Sequence, residues 1–200
     1  MYNMNYEDEI KDILKCLGGI ITRKDLIEKN IPTVYLSRMV EKGSLERVDR
    51  GIYISSDGDY DDYYFFQTRN NVAIYSYISA LCFHQLTDVI PNKKEVTVYK
   101  GYNTHCFSDD IQVHYVNKDI YSLGITVCKT AFGNDVKVYD IERTICDLIK
   151  SRKVIETELF AKTIGRYVRY QHKNLNKLYE YSKAMNIYEK VKDILEIVYE

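Results

Sequence analysis

Glycine cuts the first fifty-five residues into segments too short to build anything but small helices and a hairpin: Gly18-Gly19, Gly43 and Gly51 stand between short apolar runs. Ahead of the glycine pair, Tyr6, Ile10, Ile13, Leu14 and Leu17 recur at the spacing of one face of an amphipathic helix. Glycine takes positive φ without steric cost, so Gly18-Gly19 marks that helix's end. Thr22 followed by Asp25 has the form of an N-cap with an acid in the first turn, and Leu26 and Ile27 give the second helix its apolar side. Asn30-Ile31-Pro32 is a turn, and a third helix is expected from Pro32 or Thr33 to Lys42, closed by Gly43. Leu45–Ile54 then carries two short apolar-bearing strands around Asp49-Arg50-Gly51, a hairpin signal.

Three helices and a two-stranded hairpin make a winged helix-turn-helix. On a helical wheel Leu36, Met39 and Val40 share one arc of the third helix and face a core, while Val34, Arg38, Glu41 and Lys42 fall opposite. Tyr35 lies on the flank, with Thr33 and Ser37 towards the N-terminal edge. Such a helix suits the major groove, and Thr33, Val34, Tyr35, Ser37 and Arg38 are its expected base-reading residues. Arg23, Lys24, Lys42, Arg47 and Arg50 are the expected phosphate or minor-groove contacts, the last two at or beside the wing tip. Small winged helices also serve as protein-docking modules, and residues 1–50 are neutral, with nine basic and nine acidic side chains. Charge placement favours DNA: residues 22–50 hold seven basic against five acidic side chains, while Glu7, Asp8, Glu9 and Asp12 sit on a first helix that need not face a duplex.

The whole chain of 200 residues carries a formal charge of −1, so it is no polycation and any nucleic-acid binding must come from a local basic surface. No run of about 18 apolar residues exists to span a membrane. Neither the basic start nor the apolar run of a signal peptide precedes Glu7-Asp8-Glu9, and a cytoplasmic protein without membrane partners is expected. Five scattered cysteines, with no Cys-x-x-Cys pair, read as reduced, mostly buried thiols.

Turn formers and acids at Ser55-Ser56-Asp57-Gly58-Asp59 interrupt the apolar pattern and suggest a linker. The expected domains are therefore a winged helix over 1–56 and a larger α+β domain over 57–200, a small sheet with packed helices whose part from about 150 is helical. Residues 60–86 read as one aromatic-rich helix stopped by Pro91-Asn92. Alternating segments at Val96–Lys100, Ile111–Val116, Ile125–Lys129 and Val136–Tyr139 read as strands, and Asp140 as the N-cap of a helix with Arg143 near its start.

Ser79-Ala80-Leu81, then His84-Gln85-Leu86-Thr87-Asp88 and Pro91, resemble a stretch of AbiEi-type antitoxins, the type IV antitoxins with an N-terminal winged helix. Glu142-Arg143-Thr144 with Asp147 resembles that family's helix start, and Arg50-Gly51-Ile52-Tyr53 fits the end of its winged helix. The resemblance spans roughly residues 5–150. It implies an antitoxin of an abortive-infection pair acting against phage. Such a protein represses its own operon at inverted-repeat DNA and counteracts a nucleotidyltransferase toxin, by direct contact or by antagonism at a shared target.

Lys162, Arg166, Arg169 and Lys173 recur on one side of a helical wheel opposite Phe160, Ile164, Tyr167 and Val168. Residues 150–183 hold nine basic against three acidic side chains. The stripe is either a solvated face or a surface for DNA, RNA or toxin, and with Arg143 it supplies the candidate contacts of the second domain. Cys82-Phe83-His84 and His105-Cys106 lack structural zinc spacing. Asp135-Val136-Lys137 has the form of half a nuclease metal site, but no partner acid is identifiable, and no phosphate loop of the Gly-x-x-x-x-Gly-Lys type occurs. A binding protein without catalytic residues, metal or cofactor is expected. Two alternatives remain: a plain winged-helix regulator with a ligand- or partner-sensing domain, and a metal-dependent nuclease or nucleotidyltransferase.

Overall fold

The computed structural model describes residues 6–56, 58 and 60–199. Two compact units emerge: one runs to Thr68 and takes in Lys129–Asp135, the other holds Arg69–Cys128 and the chain from Val136 onward.

The first unit is a winged helix. Helices α1 (Tyr6–Cys16), α2 (Arg23–Glu28) and α3 (Val34–Glu41) alternate with β1 (Ile20–Thr22), and β2 (Leu45–Asp49) and β3 (Ile52–Ser55) follow. Ile10, Leu26, Leu36 and Met39, each no more than 1% exposed, meet in one core with Ile13, Ile21 and Leu45. Thr22 closes a full capping box on α2, its hydroxyl accepting from the Asp25 N–H while the Asp25 carboxylate accepts from the Thr22 N–H. Gly19 is required where it stands: its φ is +86°, and a Cβ there would come within 2.6 Å of the Gly58 Cα.

The sheet has three strands in the order β1-β3-β2, both pairings antiparallel. The expected hairpin thus gains a third strand. Ile20-Ile21-Thr22 is too short to show alternation and is buried throughout, so only its pairing with β3 makes it a strand. Helix α4 (Asp62–Arg69) presses Phe65 onto Ile20, Ile52 and Ile54, which draws the chain as far as Thr68 into this unit, beyond the Ser55–Asp59 segment. Of that segment, Asp57 and Asp59 lie outside the described residues. Asp61, 1% exposed, accepts hydrogen bonds from the Thr130 hydroxyl at 2.5 Å, the Asn134 amide at 2.8 Å and the Tyr64 N–H at 3.0 Å, tying 129–135 to this unit.

The second unit is built on a mixed sheet. Strands β4 (Ile74–Tyr75), β5 (Lys94–Tyr99), β6 (Ile111–Val116), β7 (Ile125–Lys129) and β8 (Asp135–Tyr139) lie in the order β6-β5-β4-β8-β7. β5 and β6 are parallel from Lys94↔Ile111 to Tyr99↔Val116, and β4 runs antiparallel to β5 and parallel to β8. Helices α5 (Tyr77–Phe83), α6 (Lys118–Tyr121), α7 (Ile141–Lys150), α8 (Thr157–Arg169), α9 (Leu175–Ala184) and α10 (Tyr188–Tyr199) complete it. Their apolar faces share one core, centred on Leu81, Ile145, Leu148, Tyr167, Leu178 and Val191, each fully buried. The architecture is α+β, with a winged helix first and helices last.

The single helix expected over 60–86 is instead α4, β4 and α5, and it stops at Phe83 rather than at Pro91. Ile74 and Tyr75 are no more than 1% exposed between β5 and β8. A central strand buried on both faces carries a continuous apolar run, which periodicity cannot tell from a buried helix.

Candidate nucleic-acid interface

Helix α3 turns Leu36 and Met39 inward and leaves Val34, Ser37, Arg38 and Glu41 exposed, Val34 at 50%. The division follows the wheel, because one apolar stripe on an eight-residue helix permits only one seating. Thr33 is the N-cap and its hydroxyl makes no capping bond. Tyr35 is half-buried, its ring 5.2 Å from that of Tyr6, and the Arg38 guanidinium lies 5.2 Å from the Tyr35 ring centroid. That stacking supports the guanidinium from below while leaving its donors open to a partner. Lys42 sits just past the helix end, where its ammonium meets Glu7 at 2.6 Å. This acid from α1 approaches the α3 terminus only through the tertiary fold, so no sequence spacing announced it.

The wing turns at Asp49-Arg50-Gly51. Gly51 has a φ of +78°, the Asp49 carboxylate accepts the Arg50 N–H at 2.6 Å, and β2 shifts register between Arg47 and Asp49. Such a bulge bends the strand and re-aims its side chains. The Arg47 Nε donates to the Asp49 carbonyl at 3.2 Å. The Arg23 N–H donates to the Gly51 carbonyl at 2.8 Å, placing the start of α2 beside the wing tip. Arg23, Arg47 and Arg50 are exposed, and with Arg38 they form no ion pair among the described residues. Lys24 differs in reaching Glu28 at 3.4 Å across an exposed turn, a pairing of little energetic weight.

Residues 8–55 match a family model described as a transcriptional regulator, AbiEi antitoxin. The matched segment coincides with the winged helix, and the match ends with β3. No curated protein matches the chain. Among solved structures the fold resembles the crystal structure of the RV2827C protein from Mycobacterium tuberculosis, with a TM-score of 0.54 at 10% identity, covering 89% of this chain and 75% of that one. That likeness extends well beyond residues 8–55 and concerns the fold alone.

The second unit corrects part of the expected contact set. Arg143 is not on the surface: it is fully buried, its Nε donating to Asp147 at 3.1 Å and its Nη1 to the carbonyls of Ile120 and Leu123 at 2.5 and 2.9 Å. It also lies 4.1 Å from the Tyr139 ring centroid. A guanidinium so enclosed holds the fold and reaches no partner. Burial pushes the Asp147 carboxyl above its usual range, while the adjacent guanidinium opposes that rise.

Nor is the basic stripe continuous. Helix α8 ends at Arg169 because Tyr170 takes an extended conformation, so Lys173 lies past its end and donates to the Tyr170 carbonyl at 3.2 Å. Lys162 pairs with Glu158 at 2.5 Å, and Arg166 pairs with Asp88. Those contacts lower the Asp88 carboxyl and raise the Lys162 ammonium, effects that water screens at such exposed sites. Arg169 is exposed on this face and has no acidic partner among the described residues.

Asp135 meets Lys129 at 2.6 Å, and Lys137 donates to the Asn71 carbonyl at 3.0 Å. Among the described residues no three His, Cys, Asp or Glu side chains gather into a metal cluster. No described helix is long and apolar enough to cross a membrane.

Proposed function

We propose that this chain is an antitoxin that represses its own operon. The observation that carries the reading is the outward face of α3: Arg38 exposed, stacked on Tyr35 and free of any ion pair among the described residues, on a helix whose opposite side is anchored in the winged-helix core. Thr33, Val34, Tyr35, Ser37 and Arg38 read base edges in a major groove, and Arg23, Lys24, Arg47 and Arg50 contact phosphates or an adjacent minor groove. Lys42 takes part by exchanging Glu7 for phosphate. The match of residues 8–55 to an AbiEi-antitoxin regulator supports this reading, and inverted-repeat operator DNA with a nucleotidyltransferase toxin are the partners it entails. The larger unit carries the antitoxin role in the cytoplasm of a cell defended against phage, with Lys162, Arg166, Arg169 and Lys173 as its surface cations.

Gel shifts on the chain's own upstream region, run across a salt series, test the DNA half. Arg38→Ala should cost about 1–3 kcal/mol and relax preference at one base position. Arg47→Ala or Arg50→Ala should weaken binding to all sequences alike and reduce the salt slope by about one. Unchanged affinity in all three variants removes the winged helix from DNA recognition.

A further inference from the structure

The first turn of α1 reaches α3 at two points. The Tyr6 ring lies 5.2 Å from that of Tyr35, the residue on which the Arg38 guanidinium stacks. One residue on, the Glu7 carboxylate accepts from the Lys42 ammonium at 2.6 Å, across 35 positions of sequence. Glu7, Asp8 and Glu9 are the acids of that turn, and Asp8 pairs with Lys11 on its own helix. Acids there suit the positive end of the helix dipole, and Asp8 and Glu9 already serve that end. The reach of Glu7 to the far terminus of α3 is a contact beyond what helix stability asks.

The two partners are unequally placed. The Glu7 side chain is 23% exposed and that of Lys42 59%, so the acid is the more enclosed and the cation the more open to an incoming molecule. A carboxylate and a DNA phosphate offer an ammonium the same thing, an anionic oxygen at hydrogen-bond distance. An ion pair this exposed is worth little, so phosphate can displace it. A lysine that binds phosphate from solution releases counterions from the duplex, and that release drives association. A lysine that must first leave a carboxylate gives back part of the gain, because one anion replaces another.

We propose that Glu7 is a built-in competitor of DNA phosphate for Lys42, a brake that lowers affinity for any duplex without reading its sequence. Arg38 has no acidic partner among the described residues and escapes the brake, so a larger share of the remaining affinity comes from base contact. This assignment rests on the winged helix binding DNA through α3, and goes further in giving a residue of α1 control over how tightly it does so.

Gel shifts of the full chain on its own upstream region and on a scrambled duplex, each across a salt series, test it. Glu7→Gln should bind both duplexes about threefold tighter at low salt, a change in the range of exposed ion pairs, with a salt slope steeper by up to about one. Asp8→Asn removes the same charge one residue away and should change affinity far less. In a Lys42→Gln background the gain from Glu7→Gln should disappear, since the competition has lost its object. Wild-type binding that Glu7→Gln leaves unchanged or weakens overturns the brake and leaves DNA recognition standing. An equal gain from Asp8→Asn, or one that survives Lys42→Gln, overturns it too, for the effect is then only of net charge. Absence of binding to either duplex, by wild type and Glu7→Gln alike, overturns DNA recognition and the brake together.

Discussion

Arg143 shows how one residue can change meaning between a sequence and a fold. In sequence it is a cation near a helix start, a position from which it could reach a partner. In the structure it is a fully buried guanidinium that holds two carbonyls and Asp147 while stacking on Tyr139. A buried pair is costly to form but far more costly to break, because removing one partner strands the other charge. Arg143→Met should therefore destabilise the second unit by about 3–5 kcal/mol at neutral pH, measured by urea unfolding. Asp147 adds a pH dependence of definite sign. Its folded carboxyl is raised above the unfolded value, so the native state holds the proton more tightly, and stability falls as pH rises through that interval. The defect of Arg143→Met should shrink in acid, where the stranded carboxyl is protonated. A defect of equal size at pH 4 and pH 7 would contradict this account.

At the scale of elements, short-range chemistry explains the winged helix well. The Thr22 cap, the inward Leu36 and Met39, the closing Gly43 and the Asp49-Arg50-Gly51 turn all depend on neighbours within a few residues, so their positions could be read before the fold was known. Thr22→Ala should cost about 1 kcal/mol, as loss of a cap does. Gly19→Ala should cost about 1–3 kcal/mol, because a side chain is forced both into positive φ and against the Gly58 backbone. Chemical denaturation of the two variants gives both values, and a neutral Gly19→Ala would mean the chain near Gly58 moves aside freely. Strands β1 and β4 were not legible in the same way. Three and two residues long and buried throughout, they display no period of their own and exist because longer strands pair with them, β3 with β1 and β5 and β8 with β4. Lys173 leaves the α8 stripe for a related reason. The wheel continued past Tyr170, but the chain did not, since the Asn174 side chain caps α9 and the Asn174 N–H is held by Glu142.

For the whole molecule, DNA binding by the winged helix and toxin antagonism by the larger unit should be separable activities. The double variant Arg38→Ala, Arg50→Ala should lose repression of an operon reporter and still rescue growth when a toxin is co-expressed. Rescue lost together with repression would show that neutralisation also needs the winged helix. The basic C-terminal quarter does not act as one surface, because Lys162 and Arg166 already have acidic partners while Arg169 has none among the described residues. Averaged charge over residues 150–183 gave no sign of this, for Asp88 comes from far along the chain.

The sequence by itself determined the helices and strands with a visible period, the caps and turns that bound them, and the outward cationic face of α3. Each of these follows from contacts between residues close in the chain. Only the tertiary structure decided which charges stay free for a partner and that Arg143 is sealed inside. Desolvation and pairing are set by groups brought together from distant positions, and no local pattern encodes those.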